Sequence, residues 1–298
     1  MSFDLNAYLS KKKEIIDSEI VEFVTELDSD YAHLKESVLY SIKAGGKRLR
    51  PILCLASCEA AGSDSSKAVP IACGLEMIHT YSLIHDDLPS MDDDTLRRGK
   101  PTNHKVYGEA TAILAGDALL TDAFYLISKS IKESGVSPDI GIEIIRDISR
   151  AAGSEGMIGG QALDLDLEGK EEIGIDKVEK MHSLKTGALL CCSVTAGARI
   201  GGANQQELES FMRFGNNLGL AYQITDDLLD IEGGDDLGKD KGSDIKRKKV
   251  TYPSVTGQQK AGEKVEQLTK SALYELDAFG SAATPLISIT QYLCERKN

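Results

Sequence analysis

The sequence predicts an all-α protein organised as one domain over residues 1–298. Apolar residues recur at three- and four-residue steps over 15–27, 68–86, 109–131 and 206–231, which is the spacing of one buried helix face. Strand-like alternation is hard to find, and most prolines fall near the ends of these helical patterns. No Ser/Gly/Pro-rich linker is long enough to divide the chain. The pattern therefore favours many helices joined by short connectors.

The composition limits the classes of function. A chain of 298 residues with 41% hydrophobic content can bury a large core. Its formal net charge of −13 argues against a nucleic-acid partner, because binding to a phosphate backbone needs a net basic face. Any phosphate bound by this protein must be held by local basic clusters or by metal ions.

The N-terminal twenty residues mix charged and apolar side chains, so they contain no signal-peptide core. No stretch reaches the roughly 18 apolar residues of a membrane span, and we expect a cytoplasmic protein. The six cysteines form no CxxC pair and no HExxH motif is present, so neither disulfides nor a zinc site is expected. They are interpreted as small, mostly buried apolar residues: Cys54, Cys58, Cys73, Cys191, Cys192 and Cys294.

Two similar acidic motifs, each followed by basic residues, stand far apart in the sequence. The first reads DDLPSMDDDTLRRG over 86–99, and the second reads DDLLDIEGGDDLGK over 226–239. In the second motif Asp226 and Asp230 are four residues apart, so a helix stacks these two like charges on one face. A solvated acidic surface is the ordinary explanation of one such cluster. Two of them, each ending an apolar helical run, favour two halves that face one cavity.

The first motif is unfavourable for a helix without a ligand. Asp86 and Asp87 end a helix that Pro89 should terminate, and the negative end of the helix dipole disfavours carboxylates there. Clustered carboxylates are the hard oxygen ligands that suit Mg²⁺, which is often shared between one or two carboxylates and substrate phosphates. Neither motif has the spacing of an EF-hand loop. The sequence thus predicts cation binding at both motifs.

Basic residues suited to a diphosphate lie near the acidic motifs. They occur in four short segments: GGKRLRP (45–51), RRGK (97–100), KTG (185–187), and Lys239 with Lys249. Residues 233–239 also fit the pattern G-x-x-x-x-G-K of a nucleotide-binding loop. Asp240 stands where that loop needs Ser or Thr and no strand precedes it, so this interpretation is rejected.

From about Gly45 to Pro253 the chain resembles the trans-polyprenyl diphosphate synthases, most closely the bacterial farnesyl diphosphate synthases. The resemblance is carried by motifs in a fixed order: GGKRLRP (45–51), HTYSLIHDDLPSMDDDTLRRGKPTNH (79–104), GGQALDLDLEGK (159–170), KTG (185–187), and YQITDDLLD, GKDKGSD and KKVTYP within 222–253. It implies an isoprenoid synthase fold of roughly ten to twelve helices around a central cavity, and a homodimer.

The resemblance also implies roles for individual residues. About three Mg²⁺ ions would be held by the six motif aspartates Asp86, Asp87, Asp92, Asp226, Asp227 and Asp230. The allylic diphosphate, dimethylallyl or geranyl, would contact Arg97, Lys185, Lys239 and Lys249. Isopentenyl diphosphate would contact Lys47, Arg50, His79 and Arg98. The developing allylic cation would face Thr186, Gln223 and the Lys185 carbonyl.

The implied chemistry follows from charge. Metal ions and basic side chains stabilise diphosphate as a leaving group, the allylic carbon ionises, and isopentenyl diphosphate attacks it. Chain length is predicted from Tyr81 and Ser82, since a helix through 71–87 puts Ser82 one turn before Asp86 and Tyr81 beside it. One helical turn rises about 5.4 Å, close to one isoprene unit, so the Tyr81 ring should stop growth at fifteen carbons.

Three alternatives stay open. A geranylgeranyl diphosphate synthase shares every motif above and differs in product length. A non-catalytic partner subunit of the same fold should have lost one acidic motif, and both are intact here. An acidic helical scaffold without a ligand would not be stabilised by Mg²⁺ with diphosphate.

Overall fold

The computed structural model describes residues 3–27, 30–133, 135–170, 173–232 and 249–294. These residues form fourteen α-helices, eleven of them longer than eight residues, which confirms the all-α prediction. In chain order they are α1 (Leu5–Glu26), α2 (Ala32–Lys43), α3 (Leu49–Ala60), α4 (Val69–Asp86), α5 (Asn103–Tyr107), α6 (Glu109–Glu133), α7 (Pro138–Ala152), α8 (Met157–Leu167), α9 (Ile175–His182), α10 (Ala188–Gly201), α11 (Gln205–Glu232), α12 (Tyr252–Thr256), α13 (Gln258–Leu276) and α14 (Thr284–Cys294).

Short irregular elements join some of these helices. 3₁₀ turns cover Ser65–Ala68 and Asp277–Ala283, and a single π-helical turn covers Ser183–Gly187 between α9 and α10. The two-residue strands β1 (Leu96–Arg97) and β2 (Lys100–Pro101) pair antiparallel in a small hairpin. This hairpin begins within the last residues of the first acidic motif, and its first strand carries Arg97.

Local sequence signals explain where several helices begin. Asp4 accepts a hydrogen bond from the Ala7 backbone N–H at 3.0 Å and so caps α1. Prolines stand in the first turn of α4, α7 and α12, where a missing N–H costs nothing. Thr251 and Ser254 form a capping box on α12. The interpretation of the prolines as helix boundaries is confirmed at these positions.

The core is built from close helix pairs, chiefly α4 with α6, α3 with α10 and α11 with α13. Helices α3 and α10 contribute to two of the three apolar clusters, so they join the two halves of the core. Gly197 on α10 allows the closest approach, because a Cβ atom there would lie 1.9 Å from the Cys54 carbonyl oxygen on α3. Any side chain at position 197 would force these two helices apart.

All six cysteines are unpaired, as the sequence predicts. Cys54, Cys58, Cys73 and Cys192 are buried between α3, α4 and α10, with exposed fractions of 0–5%. Burial raises the pKa of the Cys58 thiol to about 11, so this thiol is protonated and inert at neutral pH. These residues serve as small core side chains.

One helix among the described residues, α6, is long and apolar enough to cross a membrane by length and composition. Core helices of soluble proteins meet the same criterion. Helix α6 carries Asp117 and Asp122, and one of its faces packs against α4. This contact is what a helix of a folded core makes.

Candidate active site

The first acidic motif begins at the last residue of α4. The helix ends at Asp86, three residues before Pro89, as the sequence predicts. The chain then turns back on itself, and the Asp92 backbone N–H donates to the Asp86 carbonyl oxygen at 2.8 Å. This loop places the side chains of Asp86, Asp87 and Asp92 at one end of α4.

Arg97 on the hairpin closes the loop from the other side. Its Nε donates to Asp87 Oδ1 at 2.6 Å, and its Nη2 lies 3.2 Å from Asp94 Oδ2. Burial raises the pKa of Asp87 to about 6, although Arg97 acts in the opposite direction. Burial also raises the pKa of Asp86. Burial therefore disfavours the charged form of these two carboxylates, which a bound cation would stabilise.

Helix α8 supplies two polar side chains whose individual roles the sequence interpretation missed. Gln161 Nε2 donates to Asp86 Oδ1, which fixes the first carboxylate of the motif. Asp164, which is buried, accepts a hydrogen bond from Lys185 Nζ at 2.6 Å and lies 3.8 Å from Lys249 Nζ. Both residues belong to the quoted segment GGQALDLDLEGK. The pattern of small and acidic residues in that segment was the available signal.

Lys249 joins the two acidic regions. It follows the second motif in sequence, yet its Nζ lies 3.3 Å from Oδ2 of Asp92 in the first motif. This contact places a lysine from the segment after the second motif beside the first motif. Lys185 and Lys249 thus meet the same carboxylate, Asp164, beside the first motif.

The described part of the second motif, residues 226–232, lies in the last turns of α11. Gln223 accepts a hydrogen bond from Thr186 Oγ1 at 2.7 Å and donates from Nε2 to Asp227 Oδ1 at 3.1 Å. The other oxygen of Asp227 accepts the Tyr252 backbone N–H at 2.7 Å. Asp226 and Asp230 stand on the same helix, four residues apart. The structure thus connects Thr186 and Gln223, which the family resemblance implies face the same cation.

His182 is a further residue that the sequence interpretation missed. It ends α9 immediately before the π-turn that carries Lys185 and Thr186. Its Nε2 lies 3.4 Å from Asp227 Oδ2. Burial lowers the pKa of His182 to about 4, so the imidazole is neutral at physiological pH. Its only sequence signal is its position three residues before the KTG segment.

A basic cluster stands beside α4 on the α3 side. Burial lowers the pKa of His79 well below its usual range, and the neighbouring Arg50 and Arg98 act in the same direction. Arg50 Nε is buried without a hydrogen-bond partner among the described residues. Arg98 lies against the Gly45–Gly46 backbone, and Lys47 is exposed in the same loop. This concentration of positive charge around a neutral imidazole suits an anion.

Arg48 has a different task from its neighbours. It has a left-handed backbone with φ of 51° and is buried. Its guanidinium pairs with Glu76 at 2.8 Å and Asp17 at 2.6 Å, so it ties α3 to α4 and α1. Burial opposes the charge of Arg48, but Glu76 and Asp17 raise its pKa. Arg48 therefore holds together the scaffold that presents Arg50 and His79.

Tyr81 and Ser82 lie on α4 as the sequence predicts. The Tyr81 side chain is buried, and its ring packs edge-to-face on His85 with centroids 5.7 Å apart. The Tyr81 hydroxyl has no hydrogen-bond partner among the described residues. Ser82 is only partly buried and donates to the His79 carbonyl oxygen at 2.8 Å. Behind His85, Gly116 of α6 provides the space for the imidazole.

The donor set fits magnesium. Within the described residues, no three His, Cys, Asp or Glu side chains converge closely enough to hold a metal ion by themselves. Mg²⁺ commonly takes only one or two carboxylates and completes its shell with water and phosphate oxygens. The raised pKa values of Asp86 and Asp87 show carboxylates that a cation would stabilise. Lys239 and the segment GKDKGSD, assigned from the sequence, lie outside the described residues.

A family profile described as polyprenyl synthetase matches residues 31–279. The chain belongs to the polyprenyl synthetase family. It is 46% identical to a farnesyl diphosphate synthase of Geobacillus stearothermophilus, over 97% of this chain and 95% of that one. It is 45% identical to a geranylgeranyl diphosphate synthase of Cyanophora paradoxa, over 100% and 98%.

A solved structure gives the same result. The crystal structure of an FPP/GFPP synthase from Zymomonas mobilis superposes with a TM-score of 0.87 at 35% identity, covering 97% of this chain and 98% of that one. The family resemblance and the isoprenoid synthase fold predicted from the sequence are thereby confirmed. This member of the polyprenyl synthetase family is a prenyltransferase.

Proposed function

We propose that this prenyltransferase is a farnesyl diphosphate synthase that extends dimethylallyl and then geranyl diphosphate with isopentenyl diphosphate. The observation that carries the product length is Tyr81, a buried ring on α4 five residues before Asp86. A chain held at Asp86 and growing along α4 lengthens by about one helical turn per isoprene unit. The Tyr81 ring, braced by His85, then limits the product to fifteen carbons.

The allylic diphosphate would bind between the two acidic motifs. Lys185 and Lys249, together with Arg97 and Lys239, would contact its oxygens, and Asp164 holds the first two lysines in place. About three Mg²⁺ ions shared with the six motif aspartates would supply Lewis-acid stabilisation of the leaving diphosphate. The basic side chains orient the diphosphate so that its negative charge faces fixed positive charge as the C–O bond breaks.

The second substrate would bind at the basic cluster beside α4. Arg50, Arg98 and Lys47 supply positive charge for isopentenyl diphosphate, and neutral His79 supplies a hydrogen bond. The double bond of isopentenyl diphosphate attacks the allylic carbon, which forms the new C–C bond. A proton then leaves the adjacent carbon for an oxygen of the departing diphosphate. No side-chain nucleophile is required.

The allylic cation needs nearby oxygen dipoles and no water. Thr186 and Gln223, which are hydrogen-bonded to each other at 2.7 Å, would face it together with the Lys185 carbonyl. Thr186 is buried, which keeps its hydroxyl dipole from reorienting in solvent. Fixed dipoles of this kind lower the free energy of a charge that develops during the reaction.

We also propose a cytoplasmic homodimer in which each chain is one domain over 1–298. Helix α6 supports this proposal, because large apolar side chains on it are exposed, among them Leu114 at 56% and Tyr125 at 53%. A second copy covering this face would remove apolar surface from water. Light scattering on the purified protein measures the mass directly, and a monomer at micromolar concentration would contradict the dimer.

Product analysis tests the central proposal. The protein is incubated with dimethylallyl and isopentenyl diphosphates and Mg²⁺, and the products are separated by chain length. A fifteen-carbon main product is expected. A twenty-carbon main product would instead favour a geranylgeranyl synthase, the activity named for the Cyanophora relative. The absence of any product would favour a non-catalytic partner subunit.

A further inference from the structure

The π-turn Ser183–Gly187 is bracketed by two side chains that lead to the same carboxylate. His182 precedes the turn and reaches Asp227 directly, and Thr186 within the turn reaches it through Gln223. A π-turn has poorer backbone hydrogen bonds than an α-helix and is held in place by its surroundings. Asp227 is therefore one of the points at which this turn is attached to α11.

His182 contacts Asp227 through one nitrogen of its imidazole ring. Its side chain is 4% exposed, its Nε2 lies 3.4 Å from Asp227 Oδ2, and its Nδ1 has no hydrogen-bond partner among the described residues. A neutral imidazole carries one N–H, and among the residues that the structure describes only Nε2 lies near an acceptor. Of the two neutral tautomers, only the one protonated on Nε2 directs an N–H toward the Asp227 carboxylate.

The same oxygen of Asp227 also accepts the Tyr252 backbone N–H at 2.7 Å. Elements on three sides, α9, α11 and α12, therefore meet at one carboxylate beside the metal-binding end of α11. Lys185 lies within the turn between His182 and Thr186, and its Nζ is turned toward Asp164. A shift of the turn would move this lysine and its carbonyl oxygen relative to Asp226 and Asp230.

We propose that His182 is a positioning residue that fixes the π-turn, and with it Lys185, against the second acidic motif through its Nε2–H bond to Asp227. This inference rests on the proposed function, in which Lys185 contacts the allylic diphosphate. Hydrogen-bond donors behind metal-binding carboxylates typically change metal affinity or activity by about 10- to 100-fold when they are removed. His182 acts here through Asp227 and touches no substrate.

Two variants separate positioning from packing. H182F keeps a planar ring and loses the donor, whereas H182Q keeps an N–H donor, and H33F on α2 is the control for a surface His-to-Phe change. Thermal unfolding of each variant is measured without ligand and in the presence of about 5 mM MgCl₂ together with inorganic diphosphate. H182F should lose most of the wild-type stabilisation, while H182Q and H33F keep it. Steady-state kinetics should show a KM for the allylic substrate raised about tenfold in H182F alone, with the KM for isopentenyl diphosphate unchanged.

A full wild-type response in H182F to Mg²⁺ and diphosphate would overturn the inference. Should H182F not fold, ¹⁵N NMR of histidine-labelled wild-type protein decides it: a slowly exchanging Nε2–H is expected, and the Nδ1–H tautomer would overturn the proposal. Wild-type protein that neither turns over substrate nor responds to Mg²⁺ with diphosphate would contradict the proposed function instead. The tautomer then remains the deciding measurement for His182.

Discussion

Lys249 Nζ lies 3.3 Å from Asp92 Oδ2, so a lysine that follows the second acidic motif contacts an aspartate of the first. The two residues are 157 positions apart, and their contact places the segment after the second motif beside the first motif. Lys249 is also 3.8 Å from Asp164, which pairs with Lys185. Residues from four segments, at positions 92, 164, 185 and 249, thus form one polar cluster.

The first prediction concerns the metal-binding aspartates. Asp86→Ala and Asp226→Ala should each lower kcat by orders of magnitude and leave the fold intact, because each removes a carboxylate needed most when the diphosphate leaves. Steady-state assays at saturating Mg²⁺ measure the loss, and circular dichroism checks the fold. A kcat equal to that of the parent would refute the assigned role.

The second prediction separates the two substrate sites. Lys47→Ala should raise the KM for isopentenyl diphosphate, because Lys47 belongs to the loop beside the basic cluster. Lys239→Ala should act mainly on the allylic substrate. Each KM is measured with the other substrate saturating. If both variants change the same KM alone, the division of the basic residues is wrong.

The third prediction is product length. Tyr81→Ala should shift the product to twenty carbons or longer, because it removes the ring packed on His85, and Ser82→Phe should shift it to ten. Tyr81→Phe is the matched control: it keeps the ring and removes a buried unpartnered hydroxyl, so the product should stay at fifteen carbons while stability rises by about 1 kcal/mol. Unchanged products in both Tyr81→Ala and Ser82→Phe would locate the floor of the cavity elsewhere.

The fourth prediction concerns stability. Arg48→Met leaves the buried carboxylate of Glu76 without its partner, which should cost roughly 3–5 kcal/mol in free energy of unfolding. Urea denaturation measures this cost. The double variant Arg48→Met with Glu76→Leu should recover much of it, since no buried charge then remains at this pair. A single variant as stable as the parent would show that the Arg48–Glu76 pair contributes little.

The fifth prediction is a pH dependence. The pKa of His182 is about 4 in the folded protein and near ~6.5 in an unfolded chain, so the unfolded state takes up the proton first as the pH falls. The contribution of His182 to the free energy of unfolding is fully present above pH ~6.5. It is lost as the pH falls to about 4, and the loss is at most roughly 3 kcal/mol. H182Q does not titrate, so its free energy of unfolding should fall less than that of wild type between pH 7 and 5. Parallel profiles would contradict this.

Much of the fold follows from local signals in the sequence. The apolar periodicities over 68–86, 109–131 and 206–231 match α4, α6 and α11 within two residues at each end. The end of α4 at the first motif also follows from local chemistry, since Pro89 and the clustered carboxylates both oppose further helix. These features depend on residues within a few positions of each other.

The features that sequence reasoning missed depend on distant partners. The Arg48–Glu76 pair joins residues 28 positions apart, and neither residue differs locally from a surface charge. The π-turn at 183–187 is stabilised by Asp227 on α11, so its own sequence gives no sign of it. The positions of Gln161 and Asp164 relative to α4 and the lysines likewise arise only once the helices pack.

Chemical modification of the buried cysteines reports how often the core of this protein opens. Cys54, Cys58, Cys73 and Cys192 are shielded from any dissolved thiol reagent while α3, α4 and α10 stay packed. Their rate of modification then measures how often that packing opens, without any introduced label. Cys191 and Cys294 are only partly buried, so their modification is followed separately. Mass spectrometry after timed alkylation would thus measure the lifetime of the closed core separately at each buried cysteine.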